Sequence, residues 1–454
     1  MGKEKKNVVD EPIFDARTLG TPKMLVLGLQ HLFAMFGATV LVPILTGLSV
    51  SATLLFAGLA TLFMHLVTGK KVPVFLGSSF AFLGGYFAVV ASGAELGLSQ
   101  REALPYACIG VACAGLLYLI LALICKAFGS KNVMRFFPPV VTGPIIIAIG
   151  LILAPSAINN CSTNWWIALV AIVVVIVCNI WGKGMIKIVP ILMGVLVSYL
   201  VAAVTGNVDF TVVKEAAWIG LPVQMQDTVF GLFASGKVNT GLVISSIVMI
   251  VPIAFATMME HVGDISAIGG AIGKNLIEDP GLHRTLIGDG IGTTIAALFG
   301  APANTTYGEN TGVLVLTKVY DPKVVRLAAI YAVVLSFCPK FAALISAMPA
   351  ATIGGVSIIL YGMISAVGVR NMVENHTNFQ KSRNVIVAAV ILGLALGVNF
   401  SDLGSISFQI GSLNIALSGL AVASIAGIVL NAILPGKREE YMPNEENSSS
   451  LGKF

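Results

Sequence analysis

The sequence predicts an all-α integral membrane protein, and three observations carry that reading. Of its 454 residues 56% are hydrophobic and only 11% charged, with a mean hydropathy of +0.92; a soluble chain of this length carries about a quarter charged residues. Apolar runs of about 20 residues, long enough to cross a bilayer as helix, recur along the whole chain. The basic residues, finally, fall on one side of those runs, as the positive-inside rule requires.

Taken in order, the apolar windows number fourteen. The first half gives 22–46, 50–69, 78–92, 104–125, 138–155, 164–182 and 186–205. A polar, partly amphipathic connection covers 206–240. The second half gives 242–270, 284–300, 308–319, 324–347, 350–368, 385–399 and 411–434. Met1 to Arg17, within an N-terminal tail of residues 1–21, is polar and mixed in charge, without the apolar core and small-residue cleavage site of a signal peptide, so it is expected to stay in the cytoplasm. The tail 437–454, rich in Glu, Asn and Ser, is expected to be disordered. With an even number of spans and a cytoplasmic N-terminus, 23 of the 27 basic residues lie inside. Arg101, Lys214 and Lys237 fall outside, and Lys340 lies within a span. Dropping one middle span would invert every later loop, so both termini are placed in the cytoplasm of a multi-pass cell-membrane protein. The net charge of +5 therefore reports topology and not a nucleic-acid partner. The six cysteines sit mostly in apolar segments without metal spacing and read as small buried hydrophobes.

The two halves share a layout. The third and tenth windows are the shortest or most interrupted, and each follows an extended stretch that contains proline. Pro73-Val-Phe-Leu-Gly-Ser-Ser79 leads into Phe80, and Pro302-Ala-Asn-Thr-Thr-Tyr-Gly308 leads into Glu309. Seven spans per half is odd, so the second half enters the membrane from the opposite side and the fold is two inverted seven-segment repeats. Paired broken segments at matching positions of inverted halves point to a transporter's substrate site. Backbone of this kind is tolerated at membrane depth only where protein or a water-filled cavity satisfies its amides; the alternative is a polar extracellular loop. A half-helix start offers unpaired N–H groups and the positive end of its dipole. Two such starts, near Phe80 and Glu309, would bind carbonyl oxygens or anions, and Glu309 adds an acceptor. Ser78-Ser-Phe-Ala-Phe82 alone would equally suit helix packing by small residues.

A second polar cluster is Glu260-His-Val-Gly-Asp264. Glu260 and Asp264, four residues apart, share a helix face, and two acids there repel when both are ionised, which makes a candidate proton site. Ordinary surface acids at a helix end are the alternative, and a zinc site is disfavoured for want of a second histidine. His31, midway along the first window, must find a partner at that depth. Ser357 and Tyr361, one turn apart, are candidates for the opposite wall. Gly288, Gly290 and Gly292 read as close helix contact and not as a dinucleotide loop. No nucleophile set, cofactor motif or Walker loop is visible, which argues against an enzyme and against ATP-driven transport. A channel would need a continuous pore, which two occluding half-helices oppose.

Gln30-His-Leu-Phe-Ala-Met-Phe-Gly-Ala-Thr-Val-Leu-Val-Pro43, Gly77-Ser-Ser-Phe-Ala-Phe82, Glu260-His-Val-Gly263, Asp279-Pro-Gly-Leu-His-Arg284 and Asn304-Thr-Thr-Tyr-Gly-Glu-Asn310 together resemble the nucleobase:cation symporter family, also called nucleobase/ascorbate transporters, and within it the bacterial uracil permeases most closely. The resemblance implies short antiparallel strands before the half-helices of segments three and ten. It also implies a core domain from 22–126 (segments 1–4) and 241–348 (segments 8–11), and a gate domain from 127–205 (segments 5–7) and 349–436 (segments 12–14). Carried over by position, Phe80 and Gly308 would offer backbone N–H groups to uracil carbonyls, and Glu260 and Glu309 would accept from its ring N–H groups. Ser79 and Tyr307 would support the site, and Ser357 and Tyr361 would face it from the gate. The resemblance implies proton symport without a further cofactor, with Glu260, Asp264 and His31 as coupling candidates, and a homodimer formed through the gate domain in the lipid. One position departs: Asp264 stands where the uracil branch typically has His and purine carriers more often Asp. Glu309-Asn310 follows the uracil branch, so uracil is expected, with a purine such as xanthine or uric acid as the alternative cargo.

Overall fold

The computed structural model describes residues 12–435 except 130–131, 134–136, 237, 403 and 411–412. The expected tail 437–454 and most of the N-terminal tail lie outside the described residues.

Each apolar window contains helix because length and hydropathy act together there. α1 (Thr21–Thr46), α2 (Val50–Val67), α3 (Leu83–Glu95), α4 (Gln100–Phe128), α5 (Pro139–Ser162) and α6 (Trp165–Ile180) follow the first six windows. The seventh is divided between a single turn, α7 (Met185–Ile188), and α8 (Pro190–Val204). Starts are set by local chemistry. The Ser49 side chain caps α2, Ser99 and Glu102 close a capping box on α4, and Pro begins α5 and α8 where its missing N–H costs nothing. In the connection 206–240 the described residues form two short α-helices, α9 (Thr211–Glu215) and α10 (Val229–Ala234), with a 3-10 turn at Met225–Asp227 before the second.

The eighth window breaks at Val251-Pro252 into α11 (Thr240–Ile250) and α12 (Ile253–Ile272), since proline withholds a ladder donor. α13 (Leu282–Leu298), α14 (Gly308–Thr317) and α15 (Pro322–Ser336) follow, and α15 turns by 90° into α16 (Pro339–Ser346). α17 (Ala350–Glu374), α18 (Ser382–Phe400) and α19 (Gly419–Ile433) complete the chain. By length and composition seven helices are able to cross a membrane, or eight if the bent pair counts as one, among the described residues.

Two small sheets interrupt the helices. β1 (Leu76–Ser78) pairs antiparallel with β2 (Asn304–Thr306), in the register Leu76↔Thr306, Gly77↔Thr305 and Ser78↔Asn304. The window expected over 411–434 is helical only from Gly419. Before it, β3 (Ser405–Ile410) and β4 (Leu413–Ser418) form a hairpin, whose alternating apolar residues read in a hydropathy window like the start of a span.

Glycines set which helices touch. Gly290 lies against the Gly115 carbonyl and Tyr118 Cβ, so α13 packs directly on α4; Gly58 lies against the Ala329 carbonyl, joining α2 to α15. Gly143, Gly150 and Gly368 bring α5 against α17 in the same way. Between these groups, Gly37 of α1 meets Ile191 of α8. A strap at residues 12–20 closes one end. Ile13 bridges Val319, the Phe14 and Tyr320 rings lie 5.6 Å apart, Ala16 N donates to Asp321 Oδ2 at 2.9 Å, and Lys323 reaches Asp15 at 3.3 Å.

Candidate functional site

The strand pair fixes the site. Beyond the ladder, Ser79 N donates to Ala303 O at 2.8 Å and Tyr307 N to Phe75 O at 3.1 Å. The Tyr307 hydroxyl donates to Ser78 O at 2.9 Å, and Ser78 Oγ to Thr39 O at 2.9 Å. Two tips far apart in sequence are thus pinned to each other and to α1. β2 passes through Tyr307 straight into α14, so Gly308 and Glu309 occupy its first turn, where N–H groups have no intrahelical acceptor. β1 reaches α3 through a turn at 80–82, closed by Leu83 N donating to Phe80 O at 3.1 Å. Regular helix therefore starts three residues after the expected Phe80.

A cavity of about 2280 Å³ opens beside these tips. It exceeds the roughly 300–1,000 Å³ of closed ligand pockets, because it is a cleft that runs to one face of the molecule. Phe80, Glu260, Asp264, Tyr307, Gly308 and Glu309 line its inner part. Glu260 and Asp264, one turn apart on α12, are both half-buried and look into it. Thr306 Oγ1 donates to Asp264 Oδ2 at 2.5 Å. Facing these residues are α5, α8 and α17, and at the helix ends the lining includes Lys126, Lys187, Arg370 and Lys381 together with Glu278 and Glu374. The carboxylates of the inner part thus share the cavity with largely basic helix ends. No group of three or more metal-ligating side chains occurs among the described residues.

Four of the residues singled out in the sequence are not on the cavity wall. Ser79 is fully buried in the strand connection. Ser357 and Tyr361 are buried in α17, and the Tyr361 ring meets the Phe80 ring edge-on at 5.7 Å. His31 is buried behind α14. Asn310 Nδ2 donates to His31 O at 3.0 Å and approaches His31 Nδ1 at 3.1 Å, so the residue after Glu309 is tied to α1.

Sequence reasoning missed three partners. Thr306 positions Asp264, and Asn310 holds His31. Asp289 is the third: its Oδ2 lies 2.8 Å from Nδ1 of His261, whose Nε2 lies 3.0 Å from Thr285 Oγ1, and both members of the pair are fully buried. A lone acid in an apolar helix was the signal for Asp289, masked by the glycines on either side of it. His261, though next to Glu260, points away from the cavity into this pair.

Broken helices that meet inside a multi-pass helical membrane protein, around a cleft open to one face, have the architecture of a transporter. Solved structures share the architecture. The transmembrane domain of a cyanobacterium bicarbonate transporter, BicA, matches with a TM-score of 0.61 at 14% identity, over 93% of this chain and 99% of that one. SLC26A9 matches with a TM-score of 0.61 at 11% identity, over 92% of this chain and 67% of that one. At such identities the likeness concerns the fold alone. The permease family model matches residues 22–404, and the chain belongs to that family, the nucleobase/ascorbate permeases. Its similar relatives include the uracil permease of Bacillus caldolyticus, 40% identical over 97% of this chain and 99% of the relative. The uracil permease of Bacillus subtilis is 38% identical over 92% and 94%, and the putative pyrimidine permease RutG of Escherichia coli K12 is 36% identical over 92% and 91%.

Proposed function

We propose that the protein imports uracil by proton symport across the cytoplasmic membrane. The observation that carries this reading is the placing of Glu260 and Glu309 on one cavity wall with the first turn of α14, a donor and acceptor set that matches uracil's alternating C=O and N–H groups. Phe80 and Gly308 offer backbone N–H groups to the carbonyls, Glu260 and Glu309 accept from the ring, and Tyr307 and Ser79 brace the tips. Ser357 and Tyr361, one turn apart on α17, back the site from the gate side through the Phe80 ring. Of the coupling residues Glu260 leads, followed by Asp264 and His31: a site that takes up a proton with its ligand crosses the barrier at lower electrostatic cost than one with bare carboxylates. The co-transported proton is the only cofactor of this scheme.

In the same proposal fourteen segments form two inverted repeats with both termini in the cytoplasm, and the cavity is the inward-facing cleft. The core, 22–126 with 241–348, moves against the gate, 127–205 with 349–436, and two chains pair through their gates. The names of the relatives support uracil as cargo. Asp264 favours the second reading, a purine carried by the same mechanism, because the uracil branch typically has His there. Uptake of radiolabelled uracil into proteoliposomes tests both. Accumulation that collapses with a protonophore and resists competition by xanthine is expected. Accumulation that follows a sodium gradient removes the coupling, and displacement by xanthine alone moves the cargo to purines.

A further inference from the structure

The connection between α8 and α11 was expected to be polar, yet it contains the uncharged run Ala216-Ala-Trp-Ile-Gly-Leu-Pro-Val223. Trp218, Ile219 and Leu221 are 71%, 85% and 82% exposed. The run is not loose: Gly220 N donates to Phe337 O at 3.1 Å, and Lys340 N to Ala217 O at 2.9 Å, so its backbone is stitched to the corner between α15 and α16. Backbone this well tied would allow the apolar side chains to turn inward, and they do not.

We infer that this run and α16 lie in the membrane–water interface as a surface anchor, with lipid as the partner of Trp218, Ile219 and Leu221. α15 has 15 residues, about 22 Å of helix, so a helix begun at the opposite interface ends about 8 Å inside a roughly 30 Å hydrocarbon core, the depth to which interfacial helices bury their apolar face, and its 90° turn lays α16 across the axis of the span. The same corner carries further exposed apolar side chains, Ile330 and Val334 on α15 and Phe337 just after it, exposed by 45%, 64% and 41%. Lys340 Nζ stands 5.0 Å from the Trp218 ring centroid, an ammonium over an aromatic face at the level where long basic chains snorkel to water and tryptophan collects. The anchor is at the α4 N-terminal end, since Arg101 there binds Asp227 at 2.7 Å; the cavity opens at the other end, beside Lys126. The inference holds whatever the cargo.

The test uses the full chain with Trp165, Trp166 and Trp181 replaced by Phe, reconstituted in nanodiscs, so that Trp218 is the sole indole. Phosphatidylcholine brominated near the headgroup is expected to cut Trp218 emission about twofold and to quench more than a deeply brominated lipid, with iodide quenching weak. Strong iodide quenching without bromolipid quenching means water and overturns the anchor. Protection from both quenchers means protein, such as a second copy, and also overturns it. Should that variant fail to fold, a nitroxide on Leu221→Cys in a chain freed of its native cysteines gives the same decision: greater relaxation by oxygen than by a water-soluble nickel chelate is expected, and the reverse order overturns the proposal.

Discussion

Glu309 owes its position to one residue on each side. Tyr307 pins the strand before it, and Asn310 ties the turn after it to His31. Glu309→Gln keeps the shape and removes the charged acceptor, so the loss should be that of a charge-assisted hydrogen bond, about 1.5–3 kcal/mol. In uptake assays KM for uracil should rise roughly tenfold to a hundredfold, with protein yield unchanged. Unaltered kinetics would place Glu309 outside the ligand shell. At this scale the sequence exposed the ionisable residues and hid their partners. Glu260, Asp264 and Glu309 stand out because acids are costly in apolar segments. Thr306 and Asp289 become legible only once β2 and α13 are folded against α12, since no local spacing links residue 264 to 306 or 261 to 289.

The β1–β2 ladder is the smallest element of the fold and fixes the most. A Cβ on Gly77 would stand 2.5 Å from Tyr307 Cζ and 2.8 Å from Thr39 Oγ1. Gly77→Val therefore has to part the two tips, at a cost of about 1–3 kcal/mol for overpacking. A lower melting temperature in detergent and weaker uracil binding by calorimetry are expected together. The strap at residues 12–20 gives a pH prediction. Hydrogen bonds from Arg17, with help from Lys323, hold the Asp15 carboxyl well below the usual carboxylate range. A folded-state value below the unfolded one near 4 means stabilisation that is complete above that value and lost as pH falls through the depressed one. Hydrogen exchange at Ile13 and Ala16, corrected for intrinsic rates, should be constant from about pH 5 to 8 and rise only below about pH 4. Element positions were legible where hydropathy decides and shifted where geometry does. Pro252 divides one window, and the strands at 405–418 occupy the front of another. The turn at 80–82 delays α3, because the chain leaves a ladder bond at Ser79 before it can coil.

Across the whole molecule, helices joined by glycine contacts form tight groups that meet each other along α1 and α8. Gly37 stands at that seam, where a Cβ would press on Ile191 Cγ2. If one group slides on the other during turnover, Gly37→Leu should slow it. Maximal uptake is expected to fall several-fold while KM changes little, and an equal rise in KM would assign Gly37 to the binding step instead. The multi-pass helical character was readable from sequence, because it is a property of hydrophobic length. The cleft was not, because its two walls come from segments far apart in the chain.

The pairing of Leu76 with Thr306 also constrains biogenesis. When β1 leaves the ribosome its partner has not been translated, so a short polar hook waits unmated in the bilayer until α13 has been inserted. During that interval its backbone N–H and C=O groups need temporary partners, such as α1 or the insertion machinery. Premature release of the nascent chain before residue 306 should accordingly leave a product fit only for proteolysis.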